Sequence, residues 1–186
     1  MIERLISKIA RCLDKNKIPY MIIGGQAVLL YATPRLTKDI DITIGIDTDQ
    51  FALLANVTQQ LKLRVLSPDA QRFAEETKVF PVEDPQSKIR VDFIFSYTPY
   101  EKAALKRVKK VLVGGYRVKF ASLEDLIIHK MIASRAVDEE DVKNVLVKNA
   151  KLMDFLYIEK WLGDFSQIAG QGYILQRFKK FVQEST

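Results

Sequence analysis

Hydrophobic residues recur in the first part of the chain at spacings that predict helices alternating with strands. Apolar residues at three- and four-residue steps over 2–13 indicate one buried face of an amphipathic helix. The apolar run 18–23 is typical of a buried strand, and Gly24-Gly25 separates it from a helical segment over 26–32. Polar and apolar residues then alternate strictly over 39–45, which predicts a half-buried strand.

The same reading continues through the rest of the chain. Further predicted elements are a helix over 51–61, strands over 62–66, 78–82 and 89–95, a basic helix over 100–110, and a hairpin of 111–113 with 116–120 around Gly114-Gly115. From Ser122, whose spacing to Asp125 resembles a capping box, the pattern is helical to the end. We therefore expect an α/β (α+β) fold with a mixed sheet flanked by helices, comprising a core over 1–121 and a helical C-terminal part of the same domain over 122–186.

Composition narrows the class of protein. The chain has 186 residues, of which 48% are hydrophobic and 28% charged, so it can bury a core without disulfides. Its only cysteine, Cys12, excludes an intrachain disulfide. No apolar run approaches the ~20 residues of a membrane span, and residues 1–17 lack the apolar segment of a signal peptide. These features predict a cytoplasmic protein with no membrane partner.

The net charge of +6 leaves two interpretations open. A positive field favours polyanionic partners such as a triphosphate or a nucleic acid, whereas lysines spread over the surface serve solubility alone. The densest basic stretch consists of Lys102, Lys106, Arg107, Lys109 and Lys110, and it follows Tyr97 and Tyr100. Such residues can bind a single-stranded or tRNA end by phosphate contact and stacking, or they can form a solvated helix face.

The candidate chemistry begins with two acids in the alternating segment. Asp39 and Asp41 are two residues apart on a predicted strand, so both side chains leave the same face of the sheet. Two adjacent carboxylates repel each other unless a cation lies between them. Hard oxygen ligands of this kind suit Mg²⁺ or Mn²⁺, which complete their coordination with phosphate and water. Alone, this spacing is also common on solvated surfaces.

A third acid and a glycine pair make the pattern more specific. Asp92 lies within a strongly apolar segment, where a carboxylate needs a partner: either an arginine such as Arg90 or Arg35, or a metal shared with the Asp39 strand. Three carboxylates can hold two metals ~3.5–4 Å apart for in-line phosphoryl displacement. Gly24 and Gly25, between a strand and a helix, allow backbone amides to approach a phosphate closely.

These segments resemble the DNA polymerase beta-like nucleotidyltransferase superfamily. The resemblance rests on residues 22–25, 35–42 and 91–93, and it extends over roughly 18–145. The small nucleotidyltransferases related to AbiEii-type toxins of toxin–antitoxin systems are especially similar. Gly25 stands where many members have a serine that contacts the triphosphate, and the chain is shorter than typical AbiEii-type toxins.

The resemblance implies roles for further residues. Arg35 and Thr37 precede the acid pair and are expected to bind nucleotide or brace the acids. Lys130, followed by Asp138 and Asp141, resembles a later family motif. Lys130 is then either a catalytic cation that reaches the triphosphate or an ordinary helix lysine. Asp138 and Asp141 are either residues that orient this lysine or Arg135, or charges at a helix start.

The expected function is that of a Mg²⁺- or Mn²⁺-dependent enzyme. It would move a nucleoside monophosphate from an NTP such as ATP to a hydroxyl on a tRNA end, a protein or a small molecule. The resemblance to AbiEii-type toxins also suggests a role in a toxin–antitoxin pair. Asp39, Asp41 and Asp92 would be both catalytic residues and metal ligands. The alternative is a non-catalytic, nucleotide-binding partner or antitoxin-like module with the same fold.

Overall fold

The computed structural model describes residues 1–34, 36–96, 98–168 and 172–185. The helices are α1 (Ile2–Lys15), α2 (Gly24–Val28), α3 (Phe51–Leu61), α4 (Ala70–Thr77), α5 (Pro99–Ala104), α6 (Leu123–Ala133), α7 (Ala136–Asn149), α8 (Phe155–Phe165) and α9 (Ile174–Ser185). The strands are β1 (Tyr20–Ile22), β2 (Asp39–Ile44), β3 (Arg64–Val65), β4 (Val79–Glu83), β5 (Arg90–Phe95), β6 (Lys109–Val113) and β7 (Tyr116–Phe120). The predicted α/β class, with a mixed sheet and a helical C-terminal part, is confirmed.

The strands form one mixed sheet in the order β3-β4-β5-β2-β1-β7-β6 across the described residues. β2 pairs with β5 in parallel, and β1 pairs with β7 in parallel; the other neighbours are antiparallel. The β2–β5 pair lies at the centre of the sheet. The sheet thus brings together two segments that are distant in sequence.

Alternation along β2 and β5 separates an apolar core face from a second face, which carries acidic and basic side chains where the two strands begin. Ile40 and Ile42 of β2, with Val91 and Phe93 of β5, are completely buried. The amphipathic helix α1 packs against β7 and α3 and buries most of its predicted apolar face, namely Leu5, Ile6, Ile9, Ala10 and Leu13. Residues at the intervening positions of β2 and β5 therefore leave the sheet on the side away from this core.

Contacts divide the chain into two compact units. The first comprises Met1–Gln26 and Leu36–Ala121 and contains the whole sheet, and the second comprises Ala27–Arg35 and Ser122–Thr186. In the second unit α6 packs on α7 and α8, and α7 packs on α9. The Ser122 side chain caps α6 by accepting a hydrogen bond from the Asp125 amide at 3.1 Å, as its spacing predicts. Among the helices of the described residues, none combines the length and apolarity needed to span a bilayer.

One predicted element is wrong. The basic stretch 100–110 does not form a single helix, because α5 ends at Ala104 and Lys109 already begins β6. The strand is formed through antiparallel pairing with β7, and a local helical pattern carries no information about that partner. The basic side chains are consequently divided between a short helix, a turn and an edge strand.

Candidate active site

Parallel pairing of β2 with β5 gives the three acids of the candidate site a common face. Asp41 lies directly opposite Asp92 in the register of the two strands. Residues paired in this way on neighbouring strands project to the same side of a sheet, and Asp39 shares that side with Asp41 because it lies two residues away. Asp39 is exposed, and Asp41 and Asp92 are half-buried.

The glycine pair at the start of α2 lies against β2, the strand that carries Asp39 and Asp41. Gly24 has a left-handed backbone with φ of +60°, and a Cβ built on it would lie 2.0 Å from Oδ2 of Asp41. A Cβ on Gly25 would lie 2.4 Å from Oγ1 of Thr37. Both positions therefore require glycine, one for conformation and space and the other for space. The close approach of backbone and acids is the arrangement that a phosphate cradle beside a metal site needs.

Hydrogen bonds hold this turn on β2. The amide of Ile23 donates to the carbonyl of Asp41 at 3.0 Å, and the side-chain amide of Gln26 donates to the carbonyl of Asp39 at 3.3 Å. The hydroxyl of Thr37 donates to Oδ1 of Asp39 at 3.0 Å. Thr37 thus braces the first acid, one of the roles considered for it. Arg35, considered for the same role, lies outside the described residues.

Arg90 is a member of the site that the sequence interpretation treated only as a structural partner. Its Nε donates to Oδ1 of Asp92 at 2.8 Å, and in the strand register it lies opposite Asp39. The pKa of Arg90 is raised, first by the hydrogen bond to Asp92 and then by the charges of Asp92, Asp39 and Asp41, against an opposing effect of burial. Since Arg90 and Asp92 are two residues apart on one strand, the period-two rule already places both on the acid face.

The acid face offers a divalent cation suitable ligand atoms. Asp39, Asp41 and Asp92 supply hard oxygen donors from one face, which is the donor set that Mg²⁺ and Mn²⁺ prefer. Within the described residues, however, no group of three or more acidic, histidine or cysteine side chains has already converged into a metal centre. One oxygen of Asp92 is bound by Arg90 instead. The donors fit a cation in type and face, and their role as metal ligands stays a prediction.

Lys130 belongs to a buried charge cluster in the second unit. Its Nζ lies 2.7 Å from Oδ1 of Asp138 and 2.8 Å from Oδ2 of Asp141. Arg135 adds a second contact to Asp138 at 2.6 Å. Burial acts to raise the pKa of Asp138, but the hydrogen bonds from Arg135 and Lys130 outweigh it and leave that pKa lowered. These contacts agree with acids that orient the lysine and the arginine; the catalytic role of Lys130 itself stays a prediction.

The only histidine is not a candidate acid or base at neutral pH. His129 is half-buried, and desolvation of its ring, followed by the charge of Lys130, lowers its pKa to about 4. The imidazole is therefore neutral in the folded protein under physiological conditions. This supports the structural interpretation of a lone helix histidine.

The exposed basic residues Lys102 and Lys106 lie on or just after α5, and Lys109 and Lys110 lie on β6. Tyr100, the described aromatic residue of this stretch, is buried, so it cannot stack on a base. Tyr97, the other aromatic considered for stacking, is outside the described residues. The arrangement therefore favours a solvated basic surface over a stacking platform.

Comparison with solved structures gives the same fold. The antibiotic-resistance factor ANT(2'')-Ia in solution shares 18% identity over 88% of this chain and 92% of that one, with a TM-score of 0.60. A crystal structure of ANT(2")-Ia in complex with adenylyl-2"-tobramycin shares 16% identity over 96% and 97% of the two chains, with a TM-score of 0.59. Lincomycin-bound LnuA, a lincosamide antibiotic adenylyltransferase, shares 14% identity over 76% and 94%, with a TM-score of 0.52.

Likeness at this level of identity establishes the fold alone. No curated protein matches the chain. A family model does, over residues 1–180, and that family is described as a nucleotidyltransferase of unknown function, DUF6036. The matched range includes the glycine turn, the acid strand and the strand of Asp92. The chain therefore belongs to the DUF6036 family of nucleotidyltransferases.

Proposed function

We propose that the protein transfers a nucleoside monophosphate from a nucleoside triphosphate, ATP in the first instance, to a hydroxyl acceptor. The single observation that carries the proposal is the β2–β5 register, in which Asp41 lies beside Asp92. The backbone of Gly24 lies close to the side chain of the same Asp41. Family membership and the adenylyltransferase folds of the structural neighbours support it.

The reaction exchanges one phosphoester bond for another. The acceptor oxygen bonds to the α-phosphorus, the bond from that phosphorus to the bridging oxygen breaks, and pyrophosphate leaves. The hydroxyl proton passes to Asp92. Arg90 contacts Oδ1 of Asp92, so the proton is assigned to Oδ2.

Each remaining residue has a positioning role in this proposal. Backbone amides at Gly24 and Gly25 bind the β- and γ-phosphates, because neither residue has a side chain to hold the phosphates away. Thr37 fixes the rotamer of Asp39 through its hydrogen bond. Arg90 offsets repulsion among three neighbouring carboxylates. Asp39, Asp41 and Asp92 would hold a divalent cation, Mg²⁺ or Mn²⁺, which would neutralise charge on the triphosphate and lower the pKa of the acceptor hydroxyl.

A binding module is a second candidate, and one observation favours it. The Asp92 carboxylate is already paired with Arg90, and the described residues hold no preformed three-acid centre. A protein that only binds nucleotide, as a sensor or as the partner of a toxin or antitoxin, needs no third ligand. Such a protein would bind triphosphate and transfer nothing.

A transfer assay with matched variants separates the two candidates. Labelled ATP and the other labelled NTPs are incubated with Mg²⁺ and three acceptor pools: tRNA, a host lysate, and small hydroxyl compounds such as aminoglycosides. Asp41→Asn should abolish transfer, and Asp92→Asn should reduce turnover about 10²–10⁴-fold with a smaller effect on nucleotide affinity. Asp49→Asn, a change at an exposed acid beyond β2, is the control and should keep full activity.

Each outcome has a defined meaning. Full activity of Asp41→Asn contradicts the assigned role of that carboxylate. If the wild-type protein binds triphosphate in calorimetric titration but labels none of the three pools, the binding module replaces the enzyme.

A further inference from the structure

Two adjoining cavities open at the edge of the sheet where β2 and β5 begin. One, of about 470 Å³, lies between the first turns of α1 and the loop over 84–87. The other, of about 440 Å³, is lined by Thr37, Lys38 and the continuation of that loop to Ile89. Ser87 lines both, so the two cavities form one continuous groove within the first unit.

The groove carries a clear excess of positive charge. Arg4 and Lys8 line the first cavity, and Lys38 and Lys88 line the second. Asp84 is the only acid among the residues that line it. Its carboxylate accepts hydrogen bonds from the amide and hydroxyl of Ser87 at 2.9 and 2.5 Å, and these bonds are the main cause of its lowered pKa. We call this surface, defined by Arg4, Lys8, Lys38 and Lys88, the basic groove.

Within the described residues, none of the four cations forms an ion pair shorter than 3.9 Å. Within the described part of the chain, no side chain pairs with Arg4 or Lys38. Lys8 donates to the carbonyl of Leu61 at 3.1 Å, which uses one of its three donors. Lys88 lies 3.9 Å from Glu83, a carboxylate that Arg64 already binds at 2.8 Å.

The basic groove reaches the acid face through Thr37. This residue lines the second cavity, donates to Asp39 and contacts Gly25. Arg4 and Lys8 are four residues apart on α1, so they lie on one side of the helix about 6 Å apart along its axis. That separation is comparable to the distance between successive phosphates of a single nucleic-acid strand. A ligand that contacts these cations in turn and extends to Thr37 would have its end beside Asp39.

We propose that the basic groove binds the phosphate backbone of a single-stranded nucleic acid, and that the terminal hydroxyl of this strand is the acceptor. The inference rests on the proposed transferase function and names its acceptor class. Each cavity has the volume of a site for one small ligand, about 300–1,000 Å³, so the pair in series suits a chain of repeated units. Repeated cations without a matching set of acids favour a polyanion over a neutral or cationic antibiotic.

Binding of a labelled oligonucleotide tests the proposal directly. The probe is fluorescein-labelled single-stranded RNA of ~16 nucleotides, the upper end of common single-strand site sizes. Fluorescence anisotropy gives its affinity at several salt concentrations, and calorimetry gives the affinity for ATP with Mg²⁺ in the same proteins. The test variants are Arg4→Ala/Lys38→Ala and, as an independent pair, Lys8→Ala/Lys88→Ala. The control is Lys102→Ala/Lys106→Ala, which removes the same charge from the exposed basic surface near α5.

We expect both groove variants to bind the RNA roughly tenfold more weakly, with the slope of log K against log salt reduced by about 1.4 for two lost phosphate contacts. The control should keep both its affinity and its slope, and every variant should keep the wild-type affinity for ATP. Transfer of label from ATP to the RNA should fall in the groove variants and persist in the control.

Four results would overturn the proposal. One is an equal loss of affinity in the control, which indicates a general charge effect, and another is unchanged affinity in both groove variants. A third is displacement of the RNA by polyglutamate at equal charge concentration, which indicates an acidic protein partner. In the fourth, the wild type binds ATP and labels another acceptor but not the RNA. That result would support the proposed transferase activity and refute only the proposed acceptor class. Absence of ATP binding would instead refute the transferase itself.

Discussion

Replacement of Lys130 by methionine should destabilise the protein strongly. The side chain of Lys130 is 5% exposed, and those of Asp138 and Asp141 are 0% and 4% exposed. Methionine has a similar length and no charge, so the change leaves two buried carboxylates without the ammonium that they share. Removal of one partner from a buried ion pair costs about 3–5 kcal/mol of unfolding free energy. The remaining Arg135–Asp138 contact offsets little of this, because the Arg135 side chain is 70% exposed.

Urea unfolding followed by circular dichroism measures this effect. With an m-value of ~2 kcal/mol per molar urea, the expected loss lowers the midpoint by about 1.5–2.5 M. The control is Lys148→Met on the exposed side of α7, which should change stability by no more than about 0.5 kcal/mol. Addition of Asp141→Asn to the Lys130 variant removes one of the two carboxylates that lost the ammonium, and it should recover part of the loss.

The pH dependence provides a second check on the same cluster. The pKa of Asp138 is lowered in the folded protein, so its charged form stabilises the fold above its unfolded pKa of ~3.9, and that stabilisation disappears as the pH falls through the lower folded value. In Lys130→Met the carboxylates lose the ammonium and protonate more readily. The difference in unfolding free energy between wild type and variant should therefore be smaller at pH 4 than at pH 7.

The reasoning about this cluster would be refuted by a specific result. At pH 7, a urea midpoint of Lys130→Met equal to that of the Lys148→Met control would show that the two carboxylates do not depend on the Lys130 ammonium for stability. The predicted catalytic role of Lys130 is tested separately. ATP and Mg²⁺ are titrated into the variant by calorimetry at a temperature where it is folded. A large loss of triphosphate affinity with little loss of stability would support a lysine that reaches the nucleotide.

Two further predictions concern the acid face. Gly24→Ala should abolish nucleotidyl transfer, because the new Cβ would lie 2.0 Å from Oδ2 of Asp41. The left-handed backbone at this position should cost the variant about 1–2 kcal/mol of unfolding free energy as well. Gly115→Ala, also left-handed but with open space around it, is the control for backbone strain alone and should retain transfer. Arg90→Met removes the hydrogen bond that holds Oδ1 of Asp92, so we expect turnover to fall roughly tenfold to a hundredfold with little change in ATP affinity, and unchanged turnover would contradict positioning of Asp92 by Arg90.

The sequence by itself determined the local parts of this protein. Strict alternation over residues 39–45 predicts that Asp39 and Asp41 share a face, since strand geometry imposes a period of two whatever the rest of the fold does. Gly114-Gly115 predicts a hairpin, which forms between β6 and β7. The amphipathic α1 and the helical C-terminal part follow from their periodicity in the same way.

The tertiary structure alone decided which distant residues meet. The register of β2 on β5 sets Asp41 opposite Asp92 and Asp39 opposite Arg90, and no short-range pattern specifies such a pairing. The division of the basic stretch between α5 and β6 depends on the same kind of partner. Local propensity acts over a few residues, whereas strand register and groove formation arise when segments far apart in sequence bury their apolar faces together. For that reason the three acids, and Arg90 as a partner of Asp92, were visible in the sequence, but the position of Arg90 opposite Asp39 and the basic groove were not.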